Sequence, residues 1–211
     1  MTDMIQMIRN ANGRYDGDMV HYYKEVMKAP NANAPYHNVR HMLHIFWETY
    51  DGCVQMGLGK REMRNLLIAA MMHDYNHTGI KNDDQVNLDR AIRGLDAIAL
   101  KQDREHLLDI RQAIMATKYP YGPESYTPNQ LILRDADQSQ TFSAVWVHSI
   151  LYGLGSEMEM TFEQMLHLQK PFLEGLKFHT PWGINKFKPL IQPRLKVVSE
   201  MIELLNEPME D

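Results

Sequence analysis

The sequence has few of the features that mark a secreted, membrane-embedded or nucleic-acid-binding protein. Among its 211 residues it has one cysteine, Cys53, so it can form no internal disulfide. No apolar run approaches the roughly 18 residues that a membrane-spanning helix requires, and the N-terminal MTDMIQMIRN does not have the pattern of a signal peptide. We therefore expect a soluble, cytoplasmic protein without a membrane partner.

An excess of positive charge is also missing. The formal net charge is −5, with 22 Lys and Arg against 27 Asp and Glu. General affinity for nucleic-acid polymers or anionic membranes requires clustered Lys and Arg, so we expect neither as a partner. A small anionic ligand remains compatible with this composition, because a few local positive groups suffice to bind it.

Helical periodicity, by contrast, extends along most of the chain. Apolar residues recur at intervals of three and four, and no long alternating stretch indicates a sheet, which predicts a single all-α domain over 1–211. The patterns and their start and stop signals predict helices over 18–28, 38–56, 60–75, 87–100, 104–118, 139–153, 161–178 and 187–206. TPWGIN, at 180–185, is predicted to be a break between the last two helices.

Side chains that commonly bind metals occur in the order His, His-Asp, Asp. They are His41, His73, Asp74 and Asp137, with Asp135 as the alternative for the last position. Two imidazoles and two carboxylates suit Zn, Fe or Mn. A second oxygen of Asp74 can bridge to a harder ion, Mg or Mn, so we expect two divalent ions.

Two further histidines flank these ligands. His37 lies four residues before His41 and therefore on the same helix face. Because a histidine protonates readily near neutral pH, His37 is our candidate for the general acid. His77 is predicted to orient the attacking water or to shield charge. His44 and His106 are predicted to be surface or packing residues, although either could join a larger metal cluster.

At these residues the chain resembles the HD superfamily of metal-dependent phosphohydrolases, and within it the catalytic domain of cyclic nucleotide phosphodiesterases. YHNVRH at 36–41 is similar to the YHNxxH of those enzymes, HDYNHTGIKN at 73–82 to HDxxHxGxxN, and ADQS at 136–139 to ADLS. The resemblance implies an HD-type helical bundle with the metal site between helices. Its metal motifs fall within 35–140, and helices across 139–206 complete the pocket.

The resemblance also implies a substrate site. Asn82 falls on the last position of the second motif, and QKPF at 169–172 is similar to the QxxF of the phosphodiesterases. There a glutamine reads the purine edge and a phenylalanine stacks on the ring, which would make Gln169 and Phe172 base-binding residues. The alternative is that these two residues share a helix face and nothing more.

We therefore expect hydrolysis of a phosphoester in a nucleotide-like substrate, with a 3′,5′-cyclic nucleotide slightly favoured. A nucleotide phosphomonoesterase is the alternative, since a smaller bacterial-type HD family shares YHNxxH, HD and a later Asp. A di-iron oxygenase would need more histidine ligands. A nucleotide sensor without activity would not need all four ligands.

Overall fold

The computed structural model describes residues 5–6, 8–9, 13–79, 84–120 and 126–207. Its helices confirm the all-α prediction, and the described residues contain no strand. The α-helices are α1 (Val20–Val26), α2 (Val39–Gln55), α3 (Lys60–Met72), α4 (Asp84–Ile98), α5 (Leu107–Met115), α6 (Pro128–Asp137), α7 (Phe162–Gly175), α8 (Pro181–Phe187) and α9 (Ile191–Asn206). Three 3₁₀ segments cover Lys101–His106, Gln138–Phe142 and Lys188–Leu190, and a π-helix over Val147–Leu154 continues into one α-helical turn, Gly155–Glu157.

Local start and stop signals explain where the helices near the motifs begin and end. The Asn38 side chain caps α2 by accepting hydrogen bonds from the main-chain N–H groups of Arg40 at 2.8 Å and His41 at 3.1 Å. Gly57 follows α2 with a φ of +70°, a conformation that favours glycine and ends the helix. Thr127 and Gln130 form a capping box at the start of α6.

The α3 helix is the centre of the larger of two hydrophobic clusters. Its residues 66–72 are almost completely buried, and it packs against α1, α2, α4, α5 and α6. Because α3 is surrounded, its C-terminal end is held in the interior. That end carries His73 and Asp74.

The second hydrophobic cluster lies towards the C-terminus. It joins the π-helix, α7 and α9 through seven buried side chains: Trp146, Ile150, Leu151, Met165, Leu166, Leu173 and Val198. Phe142 packs against both clusters. The region between the two clusters contains the candidate site.

Two of the helix predictions were wrong, and one helix was not predicted. The region 180–185 is not a break, because Thr180 caps α8 and Pro181 occupies its first turn. The region 139–153 is not one helix but a 3₁₀ segment and a π-helix separated by 143–146. The α6 helix was not predicted, since the proline-rich stretch before it obscured the Thr127 capping signal. The remaining helices occupy the predicted regions with ends shifted by a few residues.

In the part of the chain that the structure describes, no helix combines the length and apolar character needed to span a membrane.

Candidate metal centre

Four of the predicted ligands converge at one point. His41 comes from the first turn of α2, His73 and Asp74 follow α3, and Asp137 ends α6. The Nε2 atoms of the two histidines are 3.3 Å apart. The Nε2 atom of His41 lies 3.2 Å from Asp74 Oδ2 and 3.4 Å from Asp137 Oδ1, and that of His73 lies 3.0 and 3.5 Å from the same atoms.

The other ring nitrogen of each histidine is already bonded. His41 Nδ1 donates to Oε1 of Gln140 at 2.6 Å, and His73 Nδ1 donates to the main-chain oxygen of Ala70 at 2.9 Å. Both partners are acceptors, so the proton of each neutral imidazole resides on Nδ1. The Nε2 lone pairs therefore face the two carboxylates.

Lone pairs and carboxylate oxygens this close repel each other unless a cation lies among them. Neighbouring ligands held about 2.0–2.2 Å from one ion are roughly 3.0–3.5 Å apart, as these atoms are. Oδ2 of Asp74 is buried and has no hydrogen-bond partner. The donor set thus fits one divalent transition-metal ion.

The electrostatics of the cluster also favour positive charge at this point. Burial lowers the pKa of His41, but the neighbouring carboxylates of Asp137 and Asp74 outweigh it and raise the pKa to about 9. Burial raises the pKa of Asp137, but its bonds to His41 and His73 lower it to about 2. The carboxylates thus favour positive charge at Nε2, either as protons or as a metal ion.

Asp135, the alternative last ligand, has a different role. It is fully buried, and its carboxylate accepts hydrogen bonds from the N–H of His179 at 2.9 Å and from the N–H and hydroxyl of Thr180 at 2.8 and 2.7 Å. Asp135 therefore anchors the start of α8. Of the two aspartates, Asp137 is the one that faces the histidines.

His37 is held by a carboxylate that the sequence analysis did not identify. Nδ1 of His37 bonds to Oε2 of Glu157, while Oε1 accepts from the main-chain N–H groups of Tyr36 at 2.6 Å and His37 at 3.0 Å. Glu157 thereby orients the imidazole and leaves Nε2 as its free nitrogen. This pairing resembles the carboxylate–histidine pairs of proton-transfer sites.

Close packing at a glycine brings Glu157 to His37. A Cβ atom on Gly153 would lie 2.7 Å from the main-chain oxygen of Pro35, so only glycine permits this approach. Gly153 belongs to the π-helix, and Glu157 follows it by one turn. π-Helical segments are rare and frequently occur at functional sites.

His77 stacks on His37. The ring centroids are 3.6 Å apart with an interplanar angle of 17°. Burial, and then the charge of His37, lower the pKa of His77 to about 4, so the ring is neutral near pH 7. Its Nδ1 accepts from the N–H of Gly79 at 2.9 Å, which places the proton on Nε2. Candidate ligand atoms of His37, Asp74 and His77 also lie within 4.8 Å of one another.

The cluster opens into a cavity of about 670 Å³. Its walls include Gln169 and Phe172 from α7, so the structure brings this predicted pair to the same cavity as the metal motifs. Gln169 is buried, its Nε2 donates to the main-chain oxygen of Met165 at 3.3 Å, and its Oε1 is buried without a partner. The apolar part of the wall comprises Leu88, Ile150, Leu154, Met158, Met165, Leu168, Pro171 and Phe172.

The remaining residues named in the sequence analysis are not found in the wall of this cavity among the described residues. Asn82 lies outside the described residues. His44 bonds to Ser139 at 3.0 Å and His106 contacts Glu105 at 3.4 Å, and neither lines the cavity described above. Gln140 and Glu157 were missed because each reaches its histidine from about 100 residues or more away in sequence.

Comparison with known proteins gives no assignment for the chain. No protein-family model matches it, and no curated protein does either.

Proposed function

We propose that this protein is a metal-dependent phosphohydrolase of the HD type that acts on a nucleotide-like substrate. One observation carries the proposal. Two buried imidazoles present their lone pairs to two carboxylates, and the carboxylate-held His37 lines the same cavity. A metal site next to a histidine that can exchange a proton is the arrangement that hydrolysis of a phosphoester needs.

His41, His73, Asp74 and Asp137 would hold the first ion, for which Zn, Fe or Mn is suited. Asp74, together with waters, would hold a second ion such as Mg or Mn. When bound, divalent ions supply an activated water and neutralise charge on the phosphoryl oxygens.

His37 acts as the general acid. The Glu157 carboxylate fixes the ring through Nδ1, so Nε2 is the atom from which a proton would pass to the leaving oxygen. His77 covers one face of that ring as a neutral imidazole and keeps a second positive charge away from it. Its Nε2–H group can donate a hydrogen bond to a phosphoryl oxygen.

The cavity walls favour a substrate with one phosphate group. Among the described residues that line it there is no Lys or Arg to neutralise a polyphosphate chain. The volume of about 670 Å³ suits a mononucleotide, and the apolar wall around Phe172 suits a base. A 3′,5′-cyclic nucleotide is our first candidate and a nucleoside monophosphate the second.

A substrate screen tests the proposal. The protein is loaded in turn with Zn, Mn and Mg and given 3′,5′-cyclic nucleotides, nucleoside mono- and triphosphates, and bis-p-nitrophenyl phosphate. We expect the protein to hydrolyse a phosphoester among these compounds, with triphosphates the poorest substrates. Hydrolysis of monoesters alone would replace the cyclic nucleotide assignment, whereas binding of nucleotides without turnover would reject the enzymatic one. Two bound irons with an oxygen-dependent product would indicate an oxygenase.

Two variants separate the proton donor from the ligands. His37→Ala should lower turnover by about 10²–10⁴-fold while bound metal stays unchanged. Asp74→Ala should lower both bound metal and turnover. His167→Ala, an exposed histidine on α7, is the control and should behave as the wild type. Loss of metal from His37→Ala would instead make His37 a ligand of the second ion.

A further inference from the structure

The 3₁₀ segment that follows α6 directs its side chains to two sides. Ser139 and Gln140 bond to histidines of α2, at 3.0 and 2.6 Å, and hold the segment against that helix. Gln138 and Thr141 lie three residues apart, and side chains at this spacing eclipse each other in a 3₁₀ helix. Both residues line the cavity that contains the candidate metal centre. The segment therefore gives the cavity a polar wall directly after the proposed ligand Asp137.

The side-chain amide of Gln138 is held in one orientation. Its Nε2 donates to the main-chain oxygen of Arg134 at 3.2 Å and to that of Lys177 at 3.4 Å. Because a carbonyl oxygen can only accept, these bonds fix Nε2 on that side and leave Oε1 as the atom that can serve a ligand. Gln138 thus offers the cavity a hydrogen-bond acceptor.

The hydroxyl of Thr141 supplies a hydrogen-bond donor beside this acceptor. Thr141 is 2% exposed, and its Oγ1 is buried without a hydrogen-bond partner among the described residues. An unpaired buried hydroxyl is unfavourable, and a polar ligand group in the cavity would provide its partner. An amide oxygen next to a hydroxyl suits a ligand group that both donates and accepts, which is the property of another hydroxyl.

The two ends of the segment indicate which part of a nucleotide lies beside it. Asp137, at its start, belongs to the candidate metal centre, where the phosphate would bind. Phe142, at its end, packs against the hydrophobic cluster of α7, the helix that provides Phe172 as the proposed base wall. In a nucleotide the sugar lies between the phosphate and the base. Gln138 and Thr141 are therefore placed alongside the sugar.

We propose that Thr141 and Gln138 determine specificity for the sugar by binding the 2′-hydroxyl of a ribose. The Thr141 hydroxyl donates to the 2′-oxygen, and the 2′-hydroxyl donates to Oε1 of Gln138. The substrate would then be a ribonucleotide and not a 2′-deoxyribonucleotide. This inference rests on the proposed function, which sets the positions of the phosphate and the base.

Turnover of matched substrates tests the sugar contact. We expect the metal-loaded wild type to favour 3′,5′-cyclic AMP over its 2′-deoxy analogue, and AMP over 2′-deoxy-AMP, by about 10–100-fold in kcat/KM. Thr141→Val, which is similar in shape, should reduce this preference to within about 3-fold, mainly by lowering kcat/KM for the ribonucleotides. Its thermal stability should not fall, because the lost hydroxyl has no partner in the fold.

Thr49→Val is the matched control for the lost hydroxyl. The Thr49 hydroxyl is also buried without a partner among the described residues, but Thr49 does not line the cavity. This variant should keep the ribose preference of the wild type. Equal kcat/KM for the two sugars in the wild type, or an unchanged preference in Thr141→Val, would overturn the inference.

Binding without turnover separates the sugar contact from the proposed function. Isothermal titration of AMP and 2′-deoxy-AMP into metal-loaded His37→Ala measures the preference while hydrolysis is suppressed. Tighter binding of AMP that is lost on adding Thr141→Val would support the sugar contact even where no phosphoester is hydrolysed. Hydrolysis without a ribose preference would reject the contact and leave the proposed function in place. Failure to bind either nucleotide would overturn both.

Discussion

The side-chain amide of Asn31 donates a hydrogen bond to the main-chain oxygen of Asp74 at 2.7 Å. The same Nδ2 group donates to the main-chain oxygen of His37 at 2.6 Å, and Oδ1 accepts from the N–H of Asn76 at 2.9 Å. Asn31 is buried. One side chain thus ties the segment that carries the proposed acid to the segment that carries a proposed ligand.

Replacing Asn31 should disturb both segments. We expect Asn31→Asp to lower metal affinity by about 10–100-fold, because an acceptor oxygen would face two carbonyl oxygens. Isothermal titration with Zn or Mn measures the affinity, and thermal unfolding of the metal-free protein measures the stability. Asn185→Asp, a substitution of an exposed residue on α8, is the control. Unchanged affinity in Asn31→Asp would show that the two segments hold their positions without it.

Gln140 should affect the metal affinity of the candidate site through His41, without binding the ion itself. Its Oε1 accepts from His41 Nδ1 at 2.6 Å and so fixes the tautomer that offers Nε2. Gln140→Ala is expected to weaken metal binding by about 10–100-fold while bound stoichiometry at saturation stays the same. Gln112→Ala on the surface of α5 is the matched control. A reduced stoichiometry would mean that the histidine ligand itself is lost.

Substitutions of the two aspartates at the end of α6 should affect different properties, stability for Asp135 and metal affinity for Asp137. Asp135→Asn should lower the free energy of unfolding by about 2–3 kcal/mol, because the amide cannot accept the hydrogen bonds from Thr180 and His179 as the carboxylate does. The metal affinity of Asp135→Asn should equal that of the wild type. Asp137→Asn should lose more than about 100-fold in metal affinity with little loss of stability. Loss of metal affinity in Asp135→Asn, with the affinity of Asp137→Asn unchanged, would assign the ligand role to Asp135.

The contrast between local and distant groups explains what the sequence could and could not predict. His41, His73 and Asp74 were predictable because helix caps and helix ends fix them through neighbouring residues. Glu157 was not, because it reaches His37 across 120 residues, through a π-helix and the close approach at Gly153. No local pattern signals either feature. The α6 helix was different, since a local signal for it, the Thr127 capping box, was present in the sequence directly after a proline-rich stretch.

A buried ion pair far from the candidate metal centre makes the free energy of unfolding depend on pH. Asp103 is fully buried and accepts hydrogen bonds from Arg64 at 2.8 Å, Arg61 at 2.6 Å and Tyr22 at 2.7 Å. Burial alone would raise its pKa, but these bonds lower the pKa from 3.8 to about 2. A carboxyl group whose pKa is lower in the folded state stabilises the fold above its unfolded pKa. That stabilisation is lost as the pH falls through the folded pKa.

Asp103→Asn should therefore lower the free energy of unfolding most at neutral pH. We expect a loss of about 3 kcal/mol in the free energy of unfolding at pH 7, because the guanidinium of Arg64 stays buried without its counter-charge. The difference from the wild type should persist down to about pH 4 and narrow between about pH 4 and pH 2. Urea unfolding at pH 7, 5, 3 and 2 measures this difference, with Asp109→Asn on the surface of α5 as the control. A gap that stays constant to pH 2 would show that Asp103 stabilises the fold through its shape and hydrogen bonds, not through its charge.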